Sequence, residues 1–103
     1  MLPLLNSVLH AAPQDSVVCP EVTTPATIAA DNGRVWEGCL LADGTRHGPW
    51  IWWQGEVRFE AGTYDQGLRD GLFCRYAPQG HLLVRGQYVG GWREGEWITW
   101  HTQ

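Results

Sequence analysis

A chain of 103 residues is long enough for one small domain but not for two separate cores. Its net charge is −4, it has no lysine, and its seven arginines are scattered, so it lacks the basic stripe of a nucleic-acid binder and the basic cluster that favours an anionic membrane. No apolar run approaches the roughly 18 residues of a transmembrane helix.

The first 32 residues differ in composition from the rest of the chain. They contain no glycine and no aromatic residue, but they hold four of the six prolines. We therefore expect residues 1–32 to be an N-terminal arm that buries too little apolar surface to fold alone. Its opening, MLPLLNSVLHAAP, is similar to the remnant of an export signal without the positive first region; the alternative is a plain arm or a short helix capped at Asn6.

A nine-residue motif recurs three times after Gly33. It reads TRHGPWIWW from Thr45, LRDGLFCRY from Leu68 and WREGEWITW from Trp92, with spacings of 23 and 24 residues. Glycine recurs every few residues, which disfavours a helix and suits turns between short strands. The predicted fold is all-β: tandem β-hairpin repeats with a period of 23–24 residues, forming one extended, twisted antiparallel sheet over residues 33–103.

Side chains alternate across a strand, so each copy of the motif divides between two faces. The third and fifth residues after the motif glycine predict a packed face made of Ile51, Trp53, Cys74, Tyr76, Ile98 and Trp100. On the other face the second residue is always aromatic, as in Trp50, and the fourth varies between Trp52, Arg75 and Thr99. Because the fold does not dictate the variable positions, we expect a protein partner to bind there, with Trp92 at the margin of the site.

We find no pattern of residues that predicts catalysis. The four histidines are scattered, no metal-ligand spacing occurs, and the two serines both lie in the arm, so we expect no enzyme activity, no metal and no cofactor. Arg46, Arg69 and Arg93 recur beside residues of changing charge, which favours a structural role. We expect these arginines to stack on aromatic rings, at about 0.5–1 kcal/mol per contact.

The three cysteines are predicted to have two different roles. Cys74 aligns with two isoleucines of the repeat, so it is expected to be a buried thiol. Cys19 and Cys39 lie in the arm and in the first repeat unit, and in an oxidising compartment a disulfide between them would join the arm to the sheet.

The repeated Gly-x-aromatic-x-x-aromatic pattern, followed by Gly-x-Tyr-x-x-Gly, resembles the MORN repeats, and is closest to their bacterial antitoxin-like or immunity-type variant. The resemblance covers about residues 33–100, and its strongest residues are Gly48, Trp50, Trp53, Tyr64, Gly67, Gly71, Phe73, Tyr76, Tyr88, Gly91, Gly95, Trp97 and Trp100. It implies a hairpin scaffold for protein binding, whereas the lack of lysine departs from the lipid-binding members.

Two functions follow as hypotheses. The first is a non-enzymatic protein-binding scaffold, in the cytoplasm if it is antitoxin-type. The second is a structural or self-assembling protein of the cell envelope or secreted space, which would use the open edge of the sheet, expected at residues 96–102.

Overall fold

The computed structural model describes residues 17–101, which form one open antiparallel sheet of eight strands. The strands are β1 Thr24–Ala29, β2 Arg34–Leu40, β3 Gly48–Gln54, β4 Val57–Asp65, β5 Leu68–Arg69, β6 Gly71–Tyr76, β7 Leu82–Val89 and β8 Trp92–Thr99. Their order in the sheet is β1-β2-β3-β4-β6-β7-β8, with the short β5 paired to β4. The predicted all-β antiparallel sheet is confirmed. The described part of the chain contains no helix of the length and apolarity needed to cross a membrane.

The first strand lies within the segment that the sequence analysis predicts to be an arm. β1 pairs with β2 along its whole length, from Thr24 opposite Leu40 to Ala29 opposite Val35. Its sequence is rich in threonine and small residues, and Pro25 is tolerated because β1 is an edge strand. Residues 24–29 are therefore part of the sheet, while the predicted export signal and the cap at Asn6 lie outside the described residues.

Both faces of the sheet bury apolar side chains. One face, here called the aromatic face, carries the buried rings of Trp36, Trp50 and Phe73. The opposite face carries a second buried cluster, made of Ile51, Ala61, Cys74 and Tyr76, with Trp53 and Leu82 packed against it. The predicted alternation is confirmed for the first two copies of the motif, since Ile51, Trp53, Cys74 and Tyr76 share one face. The aromatic face is a second core and not a solvent surface.

The prediction of a packed face is wrong for the third copy. Ile98 is 40% exposed and Trp100 is 41% exposed, although their counterparts in the first two copies are buried or half-buried. The reason is position: β8 is an edge strand of the sheet, so its side chains have described neighbours on one side only. A packing pattern read from one strand does not show which strand lies at the edge.

Three glycines of the sheet lie directly beneath tryptophan rings. A Cβ on Gly38 would be 2.5 Å from Trp36 Cζ2, and one on Gly86 would be 2.0 Å from Trp97 Cδ2. A Cβ on Gly62 would be 3.1 Å from Trp50 Cζ2. Tryptophan can therefore lie flat against the backbone at these three places, which brings the aromatic face close to the sheet.

The predicted disulfide is present. Cys19 and Cys39 are bonded, with their Cα atoms 5.6 Å apart, and the bond joins the segment before β1 to the end of β2. Cys74 is a buried free thiol. The distribution of the three cysteines between a bridge and a core position is as the sequence predicts.

Candidate protein-binding surface

Three arginines lie on aromatic rings along one border of the aromatic face, as the sequence predicts. The guanidinium carbon of Arg46 is 4.5 Å from the ring centre of Trp36, and that of Arg93 is 4.2 Å from Trp97. Arg69 lies between several rings, at 5.5–5.6 Å from each. Burial lowers the pKa of Arg69, but hydrogen bonds with tyrosine hydroxyls outweigh it, so this pKa is raised above its ordinary value. These arginines are structural cations.

The residues around Arg46 make a set of contacts with the turn that ends β4. The backbone oxygen of Arg46 accepts a hydrogen bond from the N–H of Gly67 at 2.8 Å, and its guanidinium donates to the hydroxyl of Tyr64 at 3.3 Å. Next to it, Nδ1 of His47 accepts from the N–H of Gln66 at 3.0 Å. A backbone acceptor, a side-chain acceptor and a guanidinium donor thus hold the neighbouring strand and its turn.

Arg69 makes the same three contacts with the turn that ends β7. Its backbone oxygen accepts from the N–H of Gly91 at 2.8 Å, and its guanidinium donates to the hydroxyl of Tyr88 at 3.4 Å. The carboxylate of Asp70 accepts from the N–H of Gly90 at 2.9 Å. The side chains differ between His47 and Asp70, but both accept a backbone N–H at this place.

The third arginine has no such turn beside it among residues 17–101. Arg93 is opposite Tyr88 and Glu94 is opposite Gln87, which is the register that Arg69 has with Tyr64. No described strand lies on the far side of β8. The outer border of β8 therefore presents the same groups that hold a neighbouring strand elsewhere in the sheet.

Trp92 shows the same difference between inner and outer positions. In the aligned motif its counterparts are Thr45 and Leu68, and both pack on a turn glycine. The Thr45 methyl lies 3.2 Å from a Cβ built on Gly67, and a Leu68 methyl lies 3.5 Å from one on Gly91. Trp92 has no described turn to cover, and it is 79% exposed.

The predicted binding residues Trp52, Arg75 and Thr99 lie in one row across the sheet. Trp52 is opposite Glu60, Glu60 is opposite Arg75, and Thr99 follows two strands further along, opposite Val84. Strands lie about 4.8 Å apart, so Arg75 is about 10 Å from each of the other two, and Trp52 and Thr99 are about 19 Å apart. The structure brings them together on one face, and it places Trp92 at the other end of β8.

Two members of this row are held by contacts within the protein. Trp52 is half-buried, lies opposite Trp36 and packs against the aromatic cluster, so a variable position of the motif is not in this case an exposed one. The neighbouring strand β2 supplies the apolar surface that covers it. That a partner binds Trp52 stays a prediction. Arg75 is 46% exposed at its side chain, and it donates two hydrogen bonds to the buried carboxylate of Glu60, at 2.7 and 3.0 Å. Thr99 is exposed.

Sequence reasoning missed two exposed residues, Ile98 and Trp100, because both were assigned to the packed face. With Trp92 they give β8 and the residue that follows it three large exposed apolar side chains. Their residue types give no signal of this exposure, because an isoleucine and aromatic residues at the same positions of the first two copies are buried or half-buried.

Groups that could support chemistry are few in the described residues. Among residues 17–101, no three His, Cys, Asp or Glu side chains are close enough together to hold a metal ion. A shallow cleft of about 270 Å³ lies beside Trp53, Arg58, Tyr76 and Pro78. Burial raises the pKa of the Cys74 thiol above its ordinary value, which keeps it protonated at neutral pH.

The chain was compared with family models, with curated proteins and with solved structures, and none of them matches it. The likeness to MORN repeats thus rests on the motif residues alone and stays a prediction.

Proposed function

We propose that the protein is a non-enzymatic protein-binding scaffold, and that its partner adds a strand to the outer border of β8. The observation that carries the proposal is the exposure of Trp92 and Ile98 on the edge strand β8, and of Trp100 directly after it. Exposed apolar side chains beside an unpaired strand border are typical of sites that recognise an extended segment by backbone hydrogen bonding. Tryptophan is also the residue type most enriched among the energetically dominant positions of interfaces.

The contacts inside the sheet define what such a partner must offer. Arg69 and Asp70 bind a strand that has a tyrosine followed by a glycine turn, through the tyrosine hydroxyl and two backbone N–H groups. Arg93 and Glu94 present the equivalent oxygen, carboxylate and guanidinium at the border of β8. A strand with the pattern Gly-x-Tyr-x-x-Gly, running antiparallel to β8, would meet all of these groups, and a strand with Gly-x-aromatic alone would offer Arg93 a ring, as Tyr88 does to Arg69.

A peptide copied from this chain tests the proposal. The probe is a synthetic peptide of residues 82–91, LLVRGQYVGG, which carries the required pattern, titrated into the whole protein at low concentration and followed by calorimetry. We expect saturable binding that Trp92→Ser weakens about 30-fold or more, the loss usual for a dominant interface residue. Val22→Ser, which changes an exposed apolar side chain away from β8, is the matched control and should leave binding unchanged.

Two results of this titration would contradict the proposal. One is the absence of saturable binding at any soluble peptide concentration. The other is equal binding of the probe and of a scrambled peptide of the same composition. The narrower function, an immunity or antitoxin-type protein, is supported only by the likeness to MORN repeats. It requires a specific toxin whose action this protein blocks.

A further inference from the structure

We infer that the strand added to β8 is β8 of a second copy of the same chain, paired about a two-fold axis at Glu96. This inference rests on the proposed function in taking the border of β8 as the binding surface, and it names the occupant. It is carried by the register of the strands inside the sheet, by the sequence of β8 and by the position of its exposed side chains.

Two inner strand pairs of the sheet are joined by the same reciprocal pattern. In β3 and β4, Gly48 lies opposite Tyr64 while Trp50 lies opposite Gly62. Each strand contributes a triplet of the form Gly-x-aromatic, and the glycine of one triplet lies opposite the aromatic residue of the other. This arrangement is nearly symmetric, because exchanging the two strands leaves the pattern unchanged.

The second inner pair repeats the arrangement. In β6 and β7, Gly71 lies opposite Tyr88 and Phe73 lies opposite Gly86, with Leu72 and Gln87 opposite each other at the centre. At one of these four glycines, Gly62, the facing ring lies against the backbone, since a Cβ there would be 3.1 Å from Trp50 Cζ2. A strand that pairs with its neighbour in this register supplies its own Gly-x-aromatic triplet.

β8 supplies this triplet to a second copy of itself. Its residues Gly95, Glu96 and Trp97 have the required form. Antiparallel pairing about Glu96 places Gly95 opposite Trp97 of the second copy, and Trp97 opposite Gly95 of the second copy. The same register, continued one residue beyond β8, places Trp92 opposite Trp100 of the second copy, so these two exposed tryptophans meet across the interface twice.

Other segments of this chain do not fit the border of β8. The other edge strand, β1, has the sequence TPATIA, which contains neither glycine nor an aromatic residue. Residues 1–16 also lack both types. The remaining Gly-x-aromatic triplets of strands β3, β4, β6 and β7 are already paired inside the sheet. Self-pairing of β8 is therefore favoured over head-to-tail assembly through β1.

The two-fold register has one unfavourable contact, which makes it testable. It brings the two Glu96 side chains directly opposite each other, and like charges at such positions destabilise a strand pair. Removing the charge with Glu96→Gln should lower the dimer Kd about two- to fivefold, while Glu21→Gln, which alters an exposed carboxylate outside the strands, should not change it. If a segment other than β8 of a second copy were paired with β8, Glu96 would not face a second Glu96, and Glu96→Gln would not be expected to lower the dimer Kd.

The experiment measures dimerisation of the whole chain by sedimentation equilibrium and by cross-linking. We expect a monomer–dimer equilibrium that Glu96→Gln tightens and that the double change Trp92→Ser with Trp100→Ser weakens at least tenfold. On mild oxidation, Glu96→Cys should form a covalent dimer, because directly opposite Cβ atoms are about 5 Å apart. Thr27→Cys, which changes an exposed residue of the other edge strand, is the matched control and should form no covalent dimer.

Three outcomes would overturn the inference. One is a monomer at every soluble concentration. The second is a dimer that Glu96→Gln does not tighten and that Glu96→Cys does not cross-link. The third is cross-linking between Glu96→Cys and Thr27→Cys chains, which would show head-to-tail assembly. Binding of the residue 82–91 peptide by a monomeric protein would overturn the self-pairing while leaving the proposed function intact, so the two failures are distinguishable.

Discussion

Replacing Trp50 by alanine is the most informative test of the aromatic face. The side chain is 1% exposed, and its ring centre lies 5.4 Å from that of Tyr64. Removing a large buried aromatic side chain costs about 3–5 kcal/mol, to which the lost ring pair contributes about 0.5–1.5 kcal/mol. We expect Trp50→Ala to lower the free energy of unfolding by about 4 kcal/mol, whereas Trp92→Ala, the same chemical change at an exposed position, should cost less than about 0.5 kcal/mol.

Urea unfolding followed by circular dichroism measures both variants. For a domain of about 100 residues, a loss of 4 kcal/mol corresponds to a fall in Tm of about 20 °C. Trp100→Ala provides an intermediate case, since its side chain is 41% exposed, and we expect it to cost less than half as much as Trp50→Ala. Equal losses for Trp50→Ala and Trp92→Ala would refute the assignment of the aromatic face as a core.

Three further predictions concern the disulfide, the free thiol and the buried carboxylate. Cys19→Ser should destabilise the oxidised protein by about 3 kcal/mol, because the disulfide closes a loop of 20 residues and so lowers the entropy of the unfolded chain. Unreduced wild-type protein that is unfolded in an alkylating reagent should show one modified cysteine. Three modified cysteines would refute the bridge. Because burial raises the pKa of Cys74, its contribution to stability is present below the thiol's unfolded pKa and is lost as the pH rises through the folded pKa. The free energy of unfolding should therefore fall in alkaline solution, and less so in Cys74→Ala; identical pH profiles would contradict this. Arg75→Met should lower the free energy of unfolding, measured in thermal melts, by about 1–2 kcal/mol, because Glu60 stays buried without its cation. Adding Glu60→Gln to Arg75→Met should restore part of this stability. If it restores none, the ion pair is not the cause of the loss.

The ion pair also changes how the predicted binding row can be tested. A double change of Trp52→Ser with Arg75→Glu follows from the sequence as a way to abolish binding without loss of stability. In the structure Trp52 packs on the aromatic cluster and Arg75 neutralises Glu60, so this double change would lower stability as well. Thr99→Arg is the better variant, because Thr99 is exposed.

Local patterns were sufficient to predict much of the sheet. The alternation of side chains correctly places Ile51 with Trp53, because a strand has a period of two whatever lies beside it. The disulfide followed from the positions of Cys19 and Cys39 in two different segments of the chain. Stacking of arginines on aromatic rings followed from their recurrence.

What the sequence did not predict depends on which strands are neighbours. Trp52 is covered because β2 places Trp36 opposite it, and the motif alone does not contain that pairing. Trp100 is exposed because β8 lies at the edge of the sheet, although its residue type matches a core position. β1 was missed because its residues 24–29 pair well without the glycine and aromatic pattern that marks the other strands.

The strands form a single sheet, and its two edge strands differ in how strongly they resist detachment by force. The extensive backbone contacts between strands all join neighbours in the sheet, so β8 is paired with β7 alone, and Trp97 adds a ring contact with Phe73 of β6 at 5.6 Å. At the other end, the bond between Cys19 and Cys39 fastens the chain covalently beside β2. A pulling force applied to both ends of the chain should therefore detach strands one after another from the β8 side, while the residues between Cys19 and Cys39 do not extend as long as the disulfide is intact.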